Sequence, residues 1–151
     1  LKSGMAESNP DVVEKQEYSL DEQVGYLLRL ASQRHAVIFL QQISEKLTPT
    51  QFSTLMRISE GGEISQNHLG RLASMDVATV KGVVDRLKAK GLIQSRADKD
   101  DKRRSLISLS ATGNALIETL KEDGARISEK TLAPLRSSER KTLINLLMKI
   151  S

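Results

Sequence analysis

The chain has 151 residues, no cysteine, no tryptophan, two Tyr and two Phe, and a net charge of +4. Without cysteine there can be no disulfide, thiolate zinc site, iron–sulfur cluster or thiol redox switch. The length suits one domain packed by Leu, Ile and Val on helices, and the scarcity of aromatic residues argues against a sandwich or barrel.

No apolar run approaches the roughly 18 residues of a membrane-spanning helix, and no secretory signal is recognised, so the expected location is the cytoplasm. Residues 1–17 are polar and aperiodic and are expected to be disordered. Met5 reads as a native start, and residues 1–4 as a vector-derived remnant.

Ser19-Leu-Asp-Glu22 has the spacing of a capping box and predicts a helix beginning at Leu20. Val24, Leu27, Leu28, Ala31, His35, Ile38, Phe39 and Ile43 carry that helix to about Leu47. Thr48-Pro49-Thr50-Gln51 combines a Thr cap, Pro at the first helical position and Gln as the reciprocal cap. Phe52, Leu55, Met56 and Ile58 form the expected buried face of this second helix, and Gly61-Gly62 ends it.

Ser65 caps a short third helix carrying Leu69, Leu72 and Ala73. Asp76 caps a fourth, in which Val80, Val83, Val84 and Leu87 recur at helical spacing up to Gly91. Two short helices joined by a tight turn form a helix-turn-helix pattern. Leu92–Ser95 and Leu106–Leu109 then read as the strands of a β-hairpin, or wing, around the polar loop Arg96–Arg104. Ser110 caps a fifth helix through Ala115, Leu116, Leu120 and Ile127. Ser137 or Ser138 starts a sixth through Leu143, Leu146, Leu147 and Ile150. The expected fold is mainly α, with six helices and a small β-hairpin.

Charge is distributed very unevenly. Nine Lys/Arg and four Asp between Lys81 and Arg104 concentrate +5 in 24 residues, so the remainder of the chain sums to −1. Such a cluster suits a polyanion. With its Val/Leu stripe turned to the core, the fourth helix leaves Ala78, Thr79, Lys81, Gly82, Asp85 and Arg86 outward. Small residues at 78 and 82 permit close approach to a major groove, while Thr79, Lys81 and Arg86 have the chemistry to reach bases or phosphates. Lys99, Lys102, Arg103 and Arg104 load the wing, where Arg103 suits an adjacent minor groove and Asp101 can fix the loop by pairing with a nearby Arg. Each feature alone has a plainer reading: a solvated basic face, or a hairpin tip kept soluble.

Leu69–Arg96, LGRLASMDVATVKGVVDRLKAKGLIQSR, resembles the recognition unit of the multiple-antibiotic-resistance regulator (MarR) family. Asp98–Gly113, DKDDKRRSLISLSATG, is similar to the wing signature of that family, with Asp101-x-Arg103 and with Leu109-Ser110 in place of the commoner Leu-Thr. The resemblance spans roughly Ser19 to Ile150. It implies a winged helix-turn-helix homodimer on double-stranded DNA, with residues 48–110 as the DNA-binding lobe and 18–47 plus 111–151 as the dimerisation region. Leu27, Leu132, Leu135, Leu143, Leu146 and Leu147 would supply the interface. Ser65 and Gln66 join Ala78, Thr79, Lys81, Gly82, Arg86, Lys102, Arg103 and Arg104 as expected DNA-binding residues.

The first helix and the segment after it, LLRLASQRHAVIFLQQI and LTPTQFSTL, look like the branch of the family whose effectors are aromatic carboxylates or their coenzyme A thioesters. The implied ligand residues are Arg29 for a carboxylate, His35 for a carboxylate or phenol, and Phe39 and Phe52 as apolar walls. The alternatives are a packed His35, and Arg29 and Arg34 engaged in inter-helix ion pairs. Met56 and Met75 are expected in the core and His68 on the surface.

No cofactor or metal is expected, and enzyme motifs are missing: there is no HExxH, P-loop, GxGxxG or GxSxG. Asp98-Lys-Asp-Asp101 is not a calcium loop, because its twelfth position is Leu109. The expected function is a ligand-released DNA-binding repressor, and the alternative is a non-catalytic helical adaptor for acidic proteins.

Overall fold

A computed structural model describes residues 17–151, so the expected disorder of the preceding residues lies outside it. The chain divides between Gln33 and Arg34 into two compact units.

In the first unit the capping box does not form. Ser19 makes no side-chain cap, Leu20–Glu22 is a single 3-10 turn, and helix α1 begins at Val24 and runs to Gln42. The Glu22 N–H that the Ser19 hydroxyl would receive goes to the Ser19 carbonyl at 3.2 Å instead, and Gln23 closes the turn, its N–H donating to the Leu20 carbonyl at 3.0 Å and its side-chain amide to the Ser19 carbonyl at 2.9 Å. The Arg29 guanidinium lies 5.4 Å from the centre of the Tyr26 ring, one turn earlier on α1.

In the second unit α1 stops well before Leu47. Ile43 is extended, and Glu45 and Lys46 take left-handed backbone angles (φ 62° and 52°) in a second 3-10 turn, Ser44–Lys46. This junction is bound from two sides. The Asp123 carboxylate accepts from the Ser44 N–H at 3.0 Å, and the Lys90 ammonium donates to the Glu45 carbonyl at 3.1 Å. Leu47 is thereby seated in the core. Helical periodicity through Ile43 gives no sign of this break, because tertiary contacts impose it.

Helix α2 (Pro49–Gly61) starts with the expected box: Gln51 N–H donates to Thr48 Oγ1, and Thr48 N–H to Gln51 Oε1, each at 3.1 Å. Gly62 ends it at φ 74°. Ile64–Ser65 then forms β1, a strand that no alternation in the sequence announces. Helices α3 (Gln66–Leu72) and α4 (Val77–Ala89) follow, then β2 (Ile93–Ala97), β3 (Ser105–Leu109), α5 (Ala111–Leu132) and α6 (Ser137–Ile150). The expected hairpin is therefore two strands of a three-stranded antiparallel sheet ordered β1-β3-β2. Ile64 and Ser95 both pair with Ile107.

One core joins these elements: Leu55 and Ile58 from α2, Leu69 from α3, Val80, Val83, Val84 and Leu87 from α4, Ile107 from β3, and Ile117 and Leu120 from α5. Met56 and Met75 pack against it from its edge. Several residues of the expected apolar stripes are exposed instead, among them Val24, Leu27, Leu28 and Ala31 of α1 and Leu146 and Ile150 of α6. Leu72 lies on the outer side of α3, and Ala115 on the outer side of α5, where Gly113 and Ile117 are the buried residues of the first turns. Among the described residues no helix is long and apolar enough to cross a membrane.

Candidate nucleic-acid interface

Two capped helices build the reading head. Ser65 Oγ accepts from the His68 N–H at 3.2 Å and starts α3, and the Asp76 carboxylate accepts from the Thr79 N–H at 2.7 Å and starts α4. That bond holds the Asp76 carboxyl below its ordinary value. α3 and α4 approach closely because Gly70 has no side chain. A Cβ there would lie 2.9 Å from Val80 Cγ2.

With Val80, Val83, Val84 and Leu87 buried, α4 exposes two adjacent rows at i, i+4 spacing. One is Val77, Lys81 and Asp85, and the other Ala78 and Arg86 with a half-buried Gly82 between them, Thr79 lying beside both. The Arg86 guanidinium leans back along its row, its Nη1 3.5 Å from where a Gly82 Cβ would stand. Of the residues expected to meet DNA, Ser65 is the one that is buried, its hydroxyl serving the cap. Gln66 is half-buried beside it. His68 is on the surface, as expected.

The wing loop is organised by its acids. Asp98 Oδ1 accepts from the Asp100 N–H and Asp101 Oδ1 from the Arg103 N–H, in two Asx turns at 3.0 and 3.1 Å. Asp101 also accepts from Arg103 Nε at 3.2 Å, so the arginine it holds is Arg103 itself. Arg104 faces Asp98 at 4.0 Å. Arg103 remains almost wholly solvent-exposed at the tip. Lys81, Arg86, Lys99 and Lys102 make no ion pair among the described residues.

Arg96, part of the same basic run, is engaged elsewhere. Its guanidinium grips the Glu63 carboxylate through both Nε and Nη2, and that hydrogen bonding lowers the Glu63 pKa while raising that of Arg96. Glu63 is a partner the sequence does not announce, since it lies 33 residues away. Two clefts adjoin the head. One of about 460 Å³ is lined by α3 and α4, including Gln66, Asn67, Arg71 and Val77. A smaller one of about 150 Å³ lies between Ser65, Gln66 and Asn67 and the wing residues Arg103, Arg104 and Ser105.

The expected ligand residues are placed as follows. Arg29 is in the first unit, against Tyr26. In the second unit, His35 Nδ1 is 2.8 Å from Thr131 Oγ1 near the end of α5. Phe39, one turn further along α1, meets Phe52 of α2 edge to face, with ring centres 5.9 Å apart. Phe52 also reaches α5 at Gly124. Among the described residues Arg34 makes no inter-helix ion pair. It donates to the Thr131 and Lys130 carbonyls at 2.6 and 3.0 Å, where it complements the negative end of α5. Asp123, absent from the expected set, is the one buried carboxylate among the described residues. It binds Arg126 at 2.7 Å, and Arg126 in turn binds Gln42 at 3.0 Å. Its signal is legible afterwards, as a carboxylate on the apolar stripe Ile117, Leu120, Ile127.

The sequence profile described as MarR family matches residues 47–105. The HTH-type transcriptional repressor NicR of Pseudomonas putida is 40% identical over 88% of this chain and 85% of its own length. Among solved structures, a probable transcriptional regulator from Pseudomonas aeruginosa is 48% identical, with a TM-score of 0.85 over 88% of this chain and all of that one. BpsR of Bordetella bronchiseptica, whose DNA binding is regulated by 6-hydroxynicotinic acid, is 38% identical with a TM-score of 0.83 over 89% of this chain and 97% of its own. The chain belongs to the MarR family, and its winged helix-turn-helix is the fold of that family's transcription regulators.

Proposed function

We propose that this protein is a DNA-binding transcriptional repressor that acts as a homodimer and leaves its operator when a small aromatic acid binds. The observation that carries the DNA reading is the outward face of α4, with Ala78, Thr79, Lys81 and Arg86 exposed around a half-buried Gly82, beside a wing tip bearing Lys102, Arg103 and Arg104. Small side chains allow close approach, and the cations neutralise phosphate or meet guanine. Residues 48–110 form the reading lobe, and residues 18–47 with 111–151 the dimerisation region. Two lobes related by a two-fold axis would read half-sites about one helical turn, roughly 34–36 Å, apart.

The likeness to BpsR supports an aromatic carboxylate as effector. His35, Phe39 and Phe52 are the proposed contacts in the second unit, with Nε2 of His35 turned to the ligand because Nδ1 is engaged by Thr131. Arg29, in the first unit, is tested separately for a role in carboxylate binding. Release is a population shift, whose size equals the ligand's preference for the form that cannot bind DNA.

Mobility shift on duplexes selected from a random pool tests both halves. Lys81→Ala and Arg103→Ala should weaken binding, each lowering the salt dependence by about one phosphate contact. Addition of 6-hydroxynicotinic acid, benzoate or a benzoyl thioester of coenzyme A identifies the effector class. Arg29→Ala and His35→Ala should bind DNA normally yet resist release. Binding and release identical to wild type in all four variants would remove these site assignments.

A further inference from the structure

Val77 is the one valine of α4 that the core does not use. It is 77% exposed, whereas Val80, Val83 and Val84 of the same helix are buried. It stands at the first position of the helix, directly after the Asp76 cap, at the head of the row that continues to Lys81, and beside the small Ala78. It also forms part of the open lining of the cleft between α3 and α4, next to Gln66, Asn67 and Arg71.

In a helix-turn-helix the first residues of the second helix reach the base edges. The apolar feature that the major groove presents is the 5-methyl group of thymine. A stiff isopropyl group at the leading edge of α4, with Ala78 allowing approach and Lys81 one turn behind to hold a phosphate, is complementary to that methyl. We infer that Val77 reads a thymine methyl in each half-site and so sets a specificity that Lys81 and Arg86 cannot supply. The inference rests on the DNA reading proposed above.

The full-length wild-type protein is used to select duplexes from a random pool, and each thymidine of the tightest duplex is then replaced singly by deoxyuridine, which lacks only the methyl. At one position per half-site, wild-type affinity should fall roughly fourfold, the value of one buried methyl. Val77→Ser should bind the thymidine and deoxyuridine duplexes equally, and Val77→Thr, which keeps a methyl, should retain the preference. Circular dichroism checks that both variants are folded. Wild-type binding unchanged by every replacement, or discrimination surviving in Val77→Ser, overturns the inference while leaving DNA binding intact. Failure to enrich any duplex overturns the DNA reading and this inference with it.

Discussion

Gly113, the glycine that closes the wing motif, sits on the first turn of α5 with the Leu92 carbonyl directly against it, so a Cβ there would run into backbone. Ser110 braces the same corner. Its hydroxyl accepts from the Gly113 N–H at 3.0 Å and donates to the Gly91 carbonyl at 2.6 Å. Gly113→Ala should therefore cost about 2 kcal/mol or more in urea unfolding, because main chain must move. Gly124→Ala is the useful contrast. The atom in its way is Cζ of Phe52, 2.9 Å from the added carbon, and a ring can shift where a carbonyl cannot. Its loss should be smaller. Both glycines are visible in the sequence, but only Gly113 falls within a recognisable motif. Val77 has no signal at all, since spacing tells which face of α4 is buried and not what an apolar residue off that face is for.

Between elements, the α1–α2 junction is held by charge rather than by propensity. Asp123, 3% exposed, receives the Ser44 N–H and Arg126, while Lys90 reaches from the end of α4 to Glu45. Asp123→Ala would leave the Ser44 N–H without its acceptor and Arg126 with only Gln42. The expected loss is about 2–3 kcal/mol in urea denaturation, with Asp123→Asn milder because an amide oxygen still accepts.

The caps and the Glu63–Arg96 pair make stability depend on acid. Thr79 N–H holds the Asp76 carboxyl below its ordinary 3.8, Arg96 holds Glu63 below 4.5, and the Arg136 N–H holds Glu139 below 4.5. Each stabilises the fold fully above its unfolded value and loses that contribution as pH falls through the lower, folded value. Thermal unfolding followed from pH 5 toward pH 3 should show the midpoint falling, with a shallower fall in Asp76→Asn. The Asp76 cap was readable because an N-cap is local. The Glu63–Arg96 pair was not, because it spans the sheet.

At the scale of the whole molecule, the described residues leave two apolar faces without a partner. No residue of α6 is buried, and Ile144, Leu146, Met148 and Ile150 are exposed, with Leu146 at 53%. The first unit likewise exposes Leu20, Val24, Leu27, Leu28 and Leu30. The proposed second copy would cover such faces, as amphipathic helices without a partner require. Leu146→Asp should shift sedimentation at micromolar concentration from dimer toward monomer. Operator affinity should fall with it, since one lobe then reads one half-site. A dimer unaffected by Leu146→Asp would place the interface elsewhere.

By itself the sequence determined the six helices, the capped turns at Thr48, Ser65, Asp76 and Ser110, the buried stripe of α4 and the concentration of positive charge from Lys81 to Arg104. All of these are local, written within one or two turns of chain. Only the tertiary structure decided that α1 breaks before Leu47, that β1 joins the wing sheet, that Arg96 is spent on Glu63, and that Arg34 and His35 meet the end of α5. Those contacts join residues 33 to 97 positions apart, and no periodicity or cap chemistry encodes a distance of that kind. The basic window was thereby divided into cations held by the protein and cations left outward on α4 and the wing.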